Sequence, residues 1–383
     1  MAVISAALAQ QIVERTMKII PFNVNVMDAR GVIVASGNPA RIGTVHAGAQ
    51  LALSRHGVIE VDAATLPHLP GAQAGINLPL SVRGEICGVV GITGQPEDVR
   101  QFGELVCLTA EMILEQAQLT GELQREKGYR EEFIYQLVRQ TGVAPAAMEA
   151  WAARLGLDLQ QARTVLVLQL SDESVRPDLA LAELQRAQSA LAARWPALLT
   201  AVITPREMAM LDRFEPTPAS GEAVQARRRL GALGEVLAQA LTMPWLLAMG
   251  IALPGLEGAA SSYESARRAA RVGRQRQPER QLFSYYELSL PVLLSGLDVG
   301  WQADQLRQPL QRLRDFDRKS GTLVKTLAAW FAHNSQPVAT AKALHIHRNT
   351  LDYRLQKIAE LTGLDLGATD DRLLLYVALQ LAV

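Results

Sequence analysis

The sequence predicts an α+β multidomain protein, and three observations lead to this prediction. Its 383 residues are enough for two or three domains. Apolar residues make up 49% of the chain and charged residues 20%, which is typical of folded cores. The apolar period also changes along the chain. We therefore expect an antiparallel sheet flanked by helices, a long connecting helix, an α/β middle region and an all-α C-terminal region.

The first region, residues 1–135, combines helices with two hairpins. Apolar residues recur at helical spacing as far as Ile20, and the period then changes to two across NVNVMDARGVIVASG, where DARG is a turn signal. A helix from about Thr44 to Arg55 follows. A second hairpin is predicted in GINLPLSVRGEICGVVGITG, with RGE at its tip. This order predicts a small antiparallel sheet of the kind used for sensing small ligands.

A long connecting helix is predicted to begin at about Glu97 and to continue to about Gln140. The apolar residues along it fall roughly in helical register, namely Leu105, Leu108, Met112, Leu119, Leu123, Phe133 and Leu137. A helix of this length often pairs with a second copy of itself. We therefore expect a homodimer or a higher homo-oligomer.

The middle region, residues 136–290, alternates strands with helices. Strands are predicted at RTVLVLQL, ALLTAVITP, EMAMLDRF and WLLAMGIAL, with helices between them and a further helix over about 257–274. This alternation is typical of an α/β domain. The third region, residues 298–383, is helical by pattern.

Composition and charge limit the classes of protein. Lys plus Arg and Asp plus Glu both count 38, so the net charge indicates neither a nucleic-acid nor a membrane partner, and any basic surface must be local. Two cysteines, Cys87 and Cys107, are too few for a disulfide framework and fit a reducing cytosol. The N-terminal segment has the pattern of an amphipathic helix rather than a signal peptide. The apolar stretch MPWLLAMGIALPGL is too short and interrupted to span a bilayer. We expect a cytoplasmic protein with no membrane segment.

The stretch ALHIHRNTLDYRLQKIAELTG, residues 343–363, carries the strongest functional signal. Apolar positions Leu351, Leu355, Ile358 and Leu361 form one helical stripe, so this face is core. VATAKALHI supplies a short preceding helix, and the connection leaves room only for a tight turn. The spacing is that of a helix-turn-helix.

The polar residues of this stretch are candidates for contacts with double-stranded DNA. The N-terminal residues of a second helix reach base edges in the major groove, where Arg can grip guanine and Asn can grip adenine. Further along, polar side chains can hold phosphates. The local charge from residue 333 to 358 is +3, from Lys342, Arg348, Arg354 and Lys357 against Asp352. The predicted DNA-binding residues are His347, Arg348, Asn349, Thr350, Tyr353, Arg354 and Lys357.

Two other interpretations of the same stretch compete with DNA binding. A polar first turn can be an ordinary capped surface helix, and basic residues on an exposed face are usually solvated. A metal site from His333, His345 and His347 is disfavoured, because no cysteine lies nearby and the spacing is not the i, i+4 pattern of helical zinc ligands. No metal is expected.

Three segments resemble one family of bacterial transcription factors. TAKALHIHRNTLDYRLQKIAELTGLDL followed by TDDRLLLYVALQL resembles the C-terminal helix-turn-helix of the PucR and carbohydrate diacid regulator (CdaR) group. The two hairpin segments resemble its sugar-diacid recognition domain, and the middle region its degenerate GGDEF-like domain. The resemblance implies a PAS/Cache-like sensor and a ligand-responsive regulator, usually an activator, of genes for glucarate, galactarate or glycerate use.

Such an effector offers carboxylates and hydroxyls, and NPARIGTVHAGA can bind both. Arg41 supplies a fork for a carboxylate, Gly43 lets the backbone approach closely, and the amides from Thr44 to His46 are expected to open a helix that favours an anion. Asn77 in GINLPL can meet a hydroxyl. The predicted effector residues are Arg41, Gly43, His46, Asn77, Ser36 and Asn38.

An enzyme is the main alternative. GVVGITGQPED lacks the G-x-G-x-x-G order of a dinucleotide loop and follows a hairpin rather than a βαβ unit. A nucleotide-binding or cyclase-like middle domain would need an acidic pair for magnesium, and EMAMLDRF occupies the place of the Gly-Gly-acidic hairpin of active relatives. No catalytic residue and no cofactor are expected. A pure dimerisation scaffold is disfavoured by the base-reading turn at residues 347–350.

Overall fold

A computed structural model describes residues 4–69, 72–140, 142–172, 174–214, 221–297, 300–318 and 320–381. The chain divides into two compact units, Met1–Lys127 and Gly128–Val383. The first residues of two predicted regions, 1–3 and 298–299, lie outside the described residues. The three-part division of the chain stays a prediction.

The first unit is a five-stranded sheet with helices on both faces. Its helices are α1 (Ala6–Met17), α2 (Ala47–Arg55) and the first part of α3 (Pro96–Arg139). Its strands are β1 (Asn23–Asp28), β2 (Ile33–Ser36), β3 (Ile59–Val61), β4 (Gly75–Val82) and β5 (Glu85–Thr93). They lie in the order β2-β1-β5-β4-β3, and all neighbours are antiparallel. Both predicted hairpins are confirmed.

The two faces of this sheet bury different side chains, because successive residues of a strand point to opposite sides. The helices α1 and α3 cover one face, whose core includes Val26, Leu78 and Val90. The helix α2 covers the other face over Met27 and Val89. The second face is the one that carries the candidate effector residues.

The second unit begins with an α/β sheet. Its helices are the end of α3, α4 (Pro145–Arg154), α5 (Pro177–Arg194), α6 (Glu222–Ala240) and α7 (Gly255–Arg276). Its strands are β6 (Arg163–Leu170), β7 (Leu199–Thr204), β8 (Glu207–Arg213), β9 (Trp245–Met249) and β10 (Leu282–Ser284). The order is β10-β9-β6-β8-β7, with only the β9–β10 pair parallel among these strands.

Helices pack on both faces of this sheet too. On one face α5 and α6 cover residues such as Leu166 and Leu168. On the other, α7 and the end of α3 cover Val165 and Val167, and Phe133 of α3 is fully buried there. The last turns of the connecting helix therefore belong to this core.

The C-terminal part of the second unit is helical, as predicted. Its helices are α8 (Ser289–Leu294), α9 (Trp301–Phe316), α10 (Thr322–Ala332), α11 (Pro337–Ala343), α12 (Arg348–Thr362) and α13 (Thr369–Leu381). They share a core that contains Leu313, Leu327 and Ile358. Asp317 ends α9 and caps α10, because its Oδ2 accepts hydrogen bonds from the amides of Leu323 at 2.6 Å and Val324 at 3.1 Å.

The observed mixture of helices and sheets confirms the predicted α+β class. Within the described ranges, none of the helices combines the length and the apolar character that crossing a bilayer requires.

Candidate functional site

The predicted helix-turn-helix is present, with α11 and α12 as its two helices. Between them, His345 adopts a left-handed conformation (φ 53°), and the amide of Ile346 donates to the carbonyl of Ala341 at 3.0 Å. His347 is the N-cap of α12, and its Nδ1 accepts a hydrogen bond from the amide of Asn349 at 3.3 Å. The imidazole is therefore held at the start of the helix with Nε2 left for another partner.

A small apolar cluster holds this turn from behind. Leu351 is fully buried and packs with Trp330 of α10 and Ala341 of α11, and Leu344 and Ile346 from the turn pack against the same cluster. The first turn of α12 is thereby fixed relative to α10 and α11.

The polar residues of the first turns point to solvent. Five of the predicted DNA-binding residues are exposed, namely His347, Arg348, Asn349, Thr350 and Tyr353. The Arg348 side chain is 68% exposed, and its Nε lies 3.8 Å from Oδ2 of Asp352. A surface ion pair of this kind contributes little and leaves the guanidinium able to exchange partners.

Arg354 and Lys357, predicted from their spacing to lie on the face away from the core, are turned partly inward. Arg354 is half-buried, and its Nη1 donates to Oγ1 of Thr326 on α10 at 3.3 Å. Lys357 is half-buried as well, with Nζ 3.0 Å from Oε2 of Glu360 and 5.7 Å from the ring centre of Phe316. Helical geometry turns both positions from the outer face toward α9 and α10, because they lie three and six residues beyond the buried Leu351.

In the first unit, the structure brings Arg41, His46 and Asn77 together near the N-terminus of α2. A Cβ added to Gly48 would lie 2.7 Å from Nδ2 of Asn77 and 3.2 Å from Cε1 of His46, so both side chains converge there. Arg41 is half-buried, and its Nη1 donates to Oε1 of Gln73 at 3.1 Å.

His46 is neutral at physiological pH. It is only 4% exposed, and burial, followed by the nearby charge of Arg41, lowers its pKa from 6.5 to about 4. Its Nδ1 accepts a hydrogen bond from the amide of Ala49 at 3.3 Å, which leaves the proton on Nε2. His46 can therefore donate one hydrogen bond without adding charge.

One expectation about the loop before α2 is wrong. The helix begins at Ala47, and the amides of Thr44 and His46 donate to the carbonyls of Arg41 and Gly31 instead of facing an anion. The N-terminal amides of α2 start only at Ala47. At Gly43, an added Cβ would meet nothing within 4 Å, and its positive φ of 87° is a conformation that favours glycine; its approach to an effector stays a prediction.

The remaining effector candidates separate into buried and exposed residues. Ser36 is buried at the end of β2, and its Oγ donates to Oδ1 of Asn25 at 2.6 Å. Asn38 is exposed and caps a short helical turn by accepting from the amide of Ala40 at 3.2 Å. Sequence reasoning missed Asn25 and Gln73. A signal for Asn25 was available, because asparagine is depleted in strands and Asn25 lies within β1, whose sequence is NVNVMD.

A buried acidic residue lies at the β7–β8 hairpin of the middle sheet. Glu207, the first residue of β8, is buried. Its carboxylate accepts hydrogen bonds from the hydroxyl of Tyr263 and from Nε2 of Gln169, the latter at 2.8 Å. A carboxylate engaged in this way serves packing. No group of three or more His, Cys, Asp or Glu among the described residues is placed to hold a metal ion.

Three family models match the chain in succession. A sugar diacid recognition model matches residues 4–137, a GGDEF-like domain model matches residues 140–272, and the PucR C-terminal helix-turn-helix model matches residues 323–381. The last match contains both α11 and α12.

Known relatives extend over the whole chain. A carbohydrate diacid regulator of Escherichia coli is 47% identical over 98% of this chain and 97% of its own length. An uncharacterized protein of Haemophilus influenzae is 36% identical over 96% of both chains. The DNA-binding transcriptional activator AdeR of Bacillus subtilis is 31% identical over 27% of this chain and 25% of its own.

These likenesses indicate a transcriptional regulator and not an enzyme. The full-length identity, the order of the three matched models and the anchored helix-turn-helix agree with one another. The chain belongs to the carbohydrate diacid regulator family.

Proposed function

We propose that this protein is a cytoplasmic, effector-responsive activator of genes for the use of glucarate, galactarate or glycerate. The observation that carries the proposal is the exposed polar first turn of α12, fixed from behind by the buried Leu351. We divide the chain into three proposed domains: a PAS/Cache-like sensor at residues 1–135, a GGDEF-like domain without catalytic activity at residues 136–290, and a DNA-binding domain at residues 298–383. It needs no cofactor.

At the DNA, residues of α12 have separate roles. Arg348 and Asn349 read base edges, since bidentate contacts from these side chains distinguish guanine and adenine. His347, Thr350 and Tyr353 hold phosphates beside them, and Lys357 reaches a phosphate at the far end of the contact. Arg354 acts on DNA indirectly, by positioning α12 through its hydrogen bond to Thr326.

A gel-shift assay with promoter fragments tests this assignment. Arg348→Ala should weaken binding to the cognate site by about 1–3 kcal/mol and relax the base preference at one position. The matched control is Arg312→Ala, which removes the same charge from an exposed position of α9. If both variants lost the same affinity for the specific site and for random DNA, the base-reading role of Arg348 would be refuted.

In the sensor, the effector lies on the α2 face of the sheet. Arg41 pairs with a carboxylate, as its planar fork favours, and the Nε2 proton of His46 and the first amides of α2 donate to the same group. Asn77 and Ser36 face the hydroxyls. Gly43 and Asn38 shape the loop that carries Arg41, through the positive φ of one and the capping bond of the other.

Calorimetric titration of the whole protein with glycerate, glucarate and galactarate tests the sensor. Arg41→Ala should abolish effector binding and induction while DNA binding stays intact. Arg55→Ala, at the exposed end of α2, is the matched control for the loss of one positive charge. Induction retained by Arg41→Ala would refute the assignment.

We also propose that two copies associate through α3. Five apolar residues of its first part are each more than half exposed, namely Leu105, Leu108, Met112, Leu119 and Leu123. Pairing would bury this stripe and would place two reading turns on half-sites one helical turn of DNA apart, or a multiple of that. Sedimentation of Leu108→Glu should show monomers; an unchanged dimer would place the interface elsewhere.

A further inference from the structure

A row of aligned positions crosses the middle of the sensor sheet on its α2 face. Asn25 of β1 pairs with Gly91 of β5, and Gly91 pairs with Asn77 of β4. Directly opposite residues of antiparallel strands point to the same side, so both amide side chains face α2 with a glycine between them. Asn25 is 1% exposed and Asn77 is 2% exposed. Two buried amides on this face need partners.

The orientation of the Asn25 amide is fixed by its neighbours. Its Oδ1 accepts two hydrogen bonds, from Oγ of Ser36 at 2.6 Å and from Nδ2 of Asn23 at 3.1 Å. The NH2 group is therefore the end that faces away from them. Within the described residues, no acceptor receives a hydrogen bond from it. Asn25 is thus an oriented donor.

In the part of the chain that the structure describes, Asn25 lacks a hydrogen-bond acceptor, whereas Asn77 lacks a donor. Its Oδ1 is buried and has no hydrogen-bond donor among the described residues. At Gly91 an added Cβ would lie 3.1 Å from this oxygen and 3.2 Å from Cε of Met27, so any larger residue there would crowd the Asn77 amide. A carboxylate has no proton at neutral pH and cannot satisfy an acceptor, whereas a hydroxyl can both donate and accept.

We infer that Asn25, together with Asn77, determines specificity by reading the hydroxyls of the effector. One hydroxyl donates to Oδ1 of Asn77, and an oxygen further along the same molecule accepts from Nδ2 of Asn25. The two strands that carry them are about 10 Å apart, twice the strand spacing. This inference rests on the proposed effector site. It adds that a dicarboxylic acid without hydroxyls is disfavoured, because its carboxylates can accept from Asn25 but no group of the molecule can donate to the buried Oδ1 of Asn77.

The test compares galactarate with adipate, which has the same six-carbon chain and two carboxylates but no hydroxyl. Calorimetry with the whole protein should show galactarate binding at least about a hundredfold more tightly. Asn25→Asp keeps the size of the side chain and the acceptor for Ser36 and Asn23 while removing the donor. Its affinity for galactarate should fall at least about tenfold, and the added carboxylate should weaken adipate as well, because it repels both diacids. Arg41→Ala should weaken both acids alike.

The outcomes separate this inference from the proposed function. Equal binding of galactarate and adipate, or full galactarate affinity in Asn25→Asp, would overturn the hydroxyl-reading role while leaving a diacid sensor in place. Absence of binding by galactarate, glucarate and glycerate alike would overturn the proposed function and this inference with it. Circular dichroism melting and promoter binding of each variant establish that the protein is folded. Ser36→Ala, which frees the Asn25 amide to turn, should reduce the galactarate preference by a smaller factor.

Discussion

Lowering the pH should destabilise the first unit through the single side chain of His46. In the folded protein its pKa is lowered to about 4, first by burial and then by Arg41, while in the unfolded chain it returns to about 6.5. The unfolded state therefore binds the proton more readily. The stabilisation is fully present above pH 6.5 and is lost as the pH falls from there toward 4.

The size of the effect follows from the two pKa values. The complete difference corresponds to about 3 kcal/mol, because each tenfold change in proton affinity is about 1.4 kcal/mol. At pH 5 the unfolded imidazole is almost wholly protonated and the folded one is almost wholly neutral. The loss at that pH is about 2 kcal/mol. For a protein of ordinary stability this is a large fraction of the total.

Two measurements check this expectation. NMR titration of the histidine Cε1 protons should show one resonance with a pKa near 4, and that resonance should be absent in His46→Ser. Serine keeps an oxygen acceptor for the Ala49 amide, so the cap of α2 survives. In urea unfolding, the wild-type protein should lose about 2 kcal/mol more than His46→Ser between pH 7 and pH 5. A His46 that titrates near its ordinary value, or equal losses in both proteins, would refute the reasoning.

Three further predictions concern the C-terminal helices. Leu351→Ala should lower the free energy of unfolding by about 2–5 kcal/mol, because it opens a cavity beside Trp330, whose fluorescence reports the transition. Asp317→Asn should cost about 1 kcal/mol of stability, because asparagine is a weaker cap for α10. Burial raises the pKa of Asp317, but hydrogen bonds from Ser320 and the α10 amides lower it overall, so the wild-type protein should lose this advantage as the pH falls through the lowered pKa. A stability difference between the two proteins that does not depend on pH would contradict this prediction. Arg354→Met should leave the salt dependence of DNA binding unchanged, whereas removing a phosphate contact would reduce the slope by about 0.9.

The helix-turn-helix was predictable because its signals are local. The spacing of Leu351 and Ile358 fixes the buried stripe of α12, and the polar run before it places the cap at His347, where the structure has it. The inward turn of Arg354 was not predictable in the same way. It depends on Thr326, which is 28 residues earlier in the chain and reaches Arg354 only through packing of α10 against α12.

The sensor shows the same division between local and distant information. Turn signals were sufficient for the two hairpins, but the pairing of β1 with β5 joins residues 60 to 70 positions apart. That pairing places Asn25, Gly91 and Asn77 in one row. Periodicity assigns Asn25 to a strand and gives no information about its neighbours, so its place beside the candidate site emerges only from the three-dimensional pairing.

The hydrogen bond between Arg354 and Thr326 has a consequence for promoter choice. Together with the cluster around Leu351, it joins α10, α11 and α12 into one block, and α12 cannot tilt in that block without breaking a half-buried polar contact. In the proposed regulator, an effector signal would then move the block only as a whole. In a paired assembly, such movement changes the separation of two blocks. Promoters whose half-sites differ in the number of intervening base pairs would then respond to different effector states of the same protein.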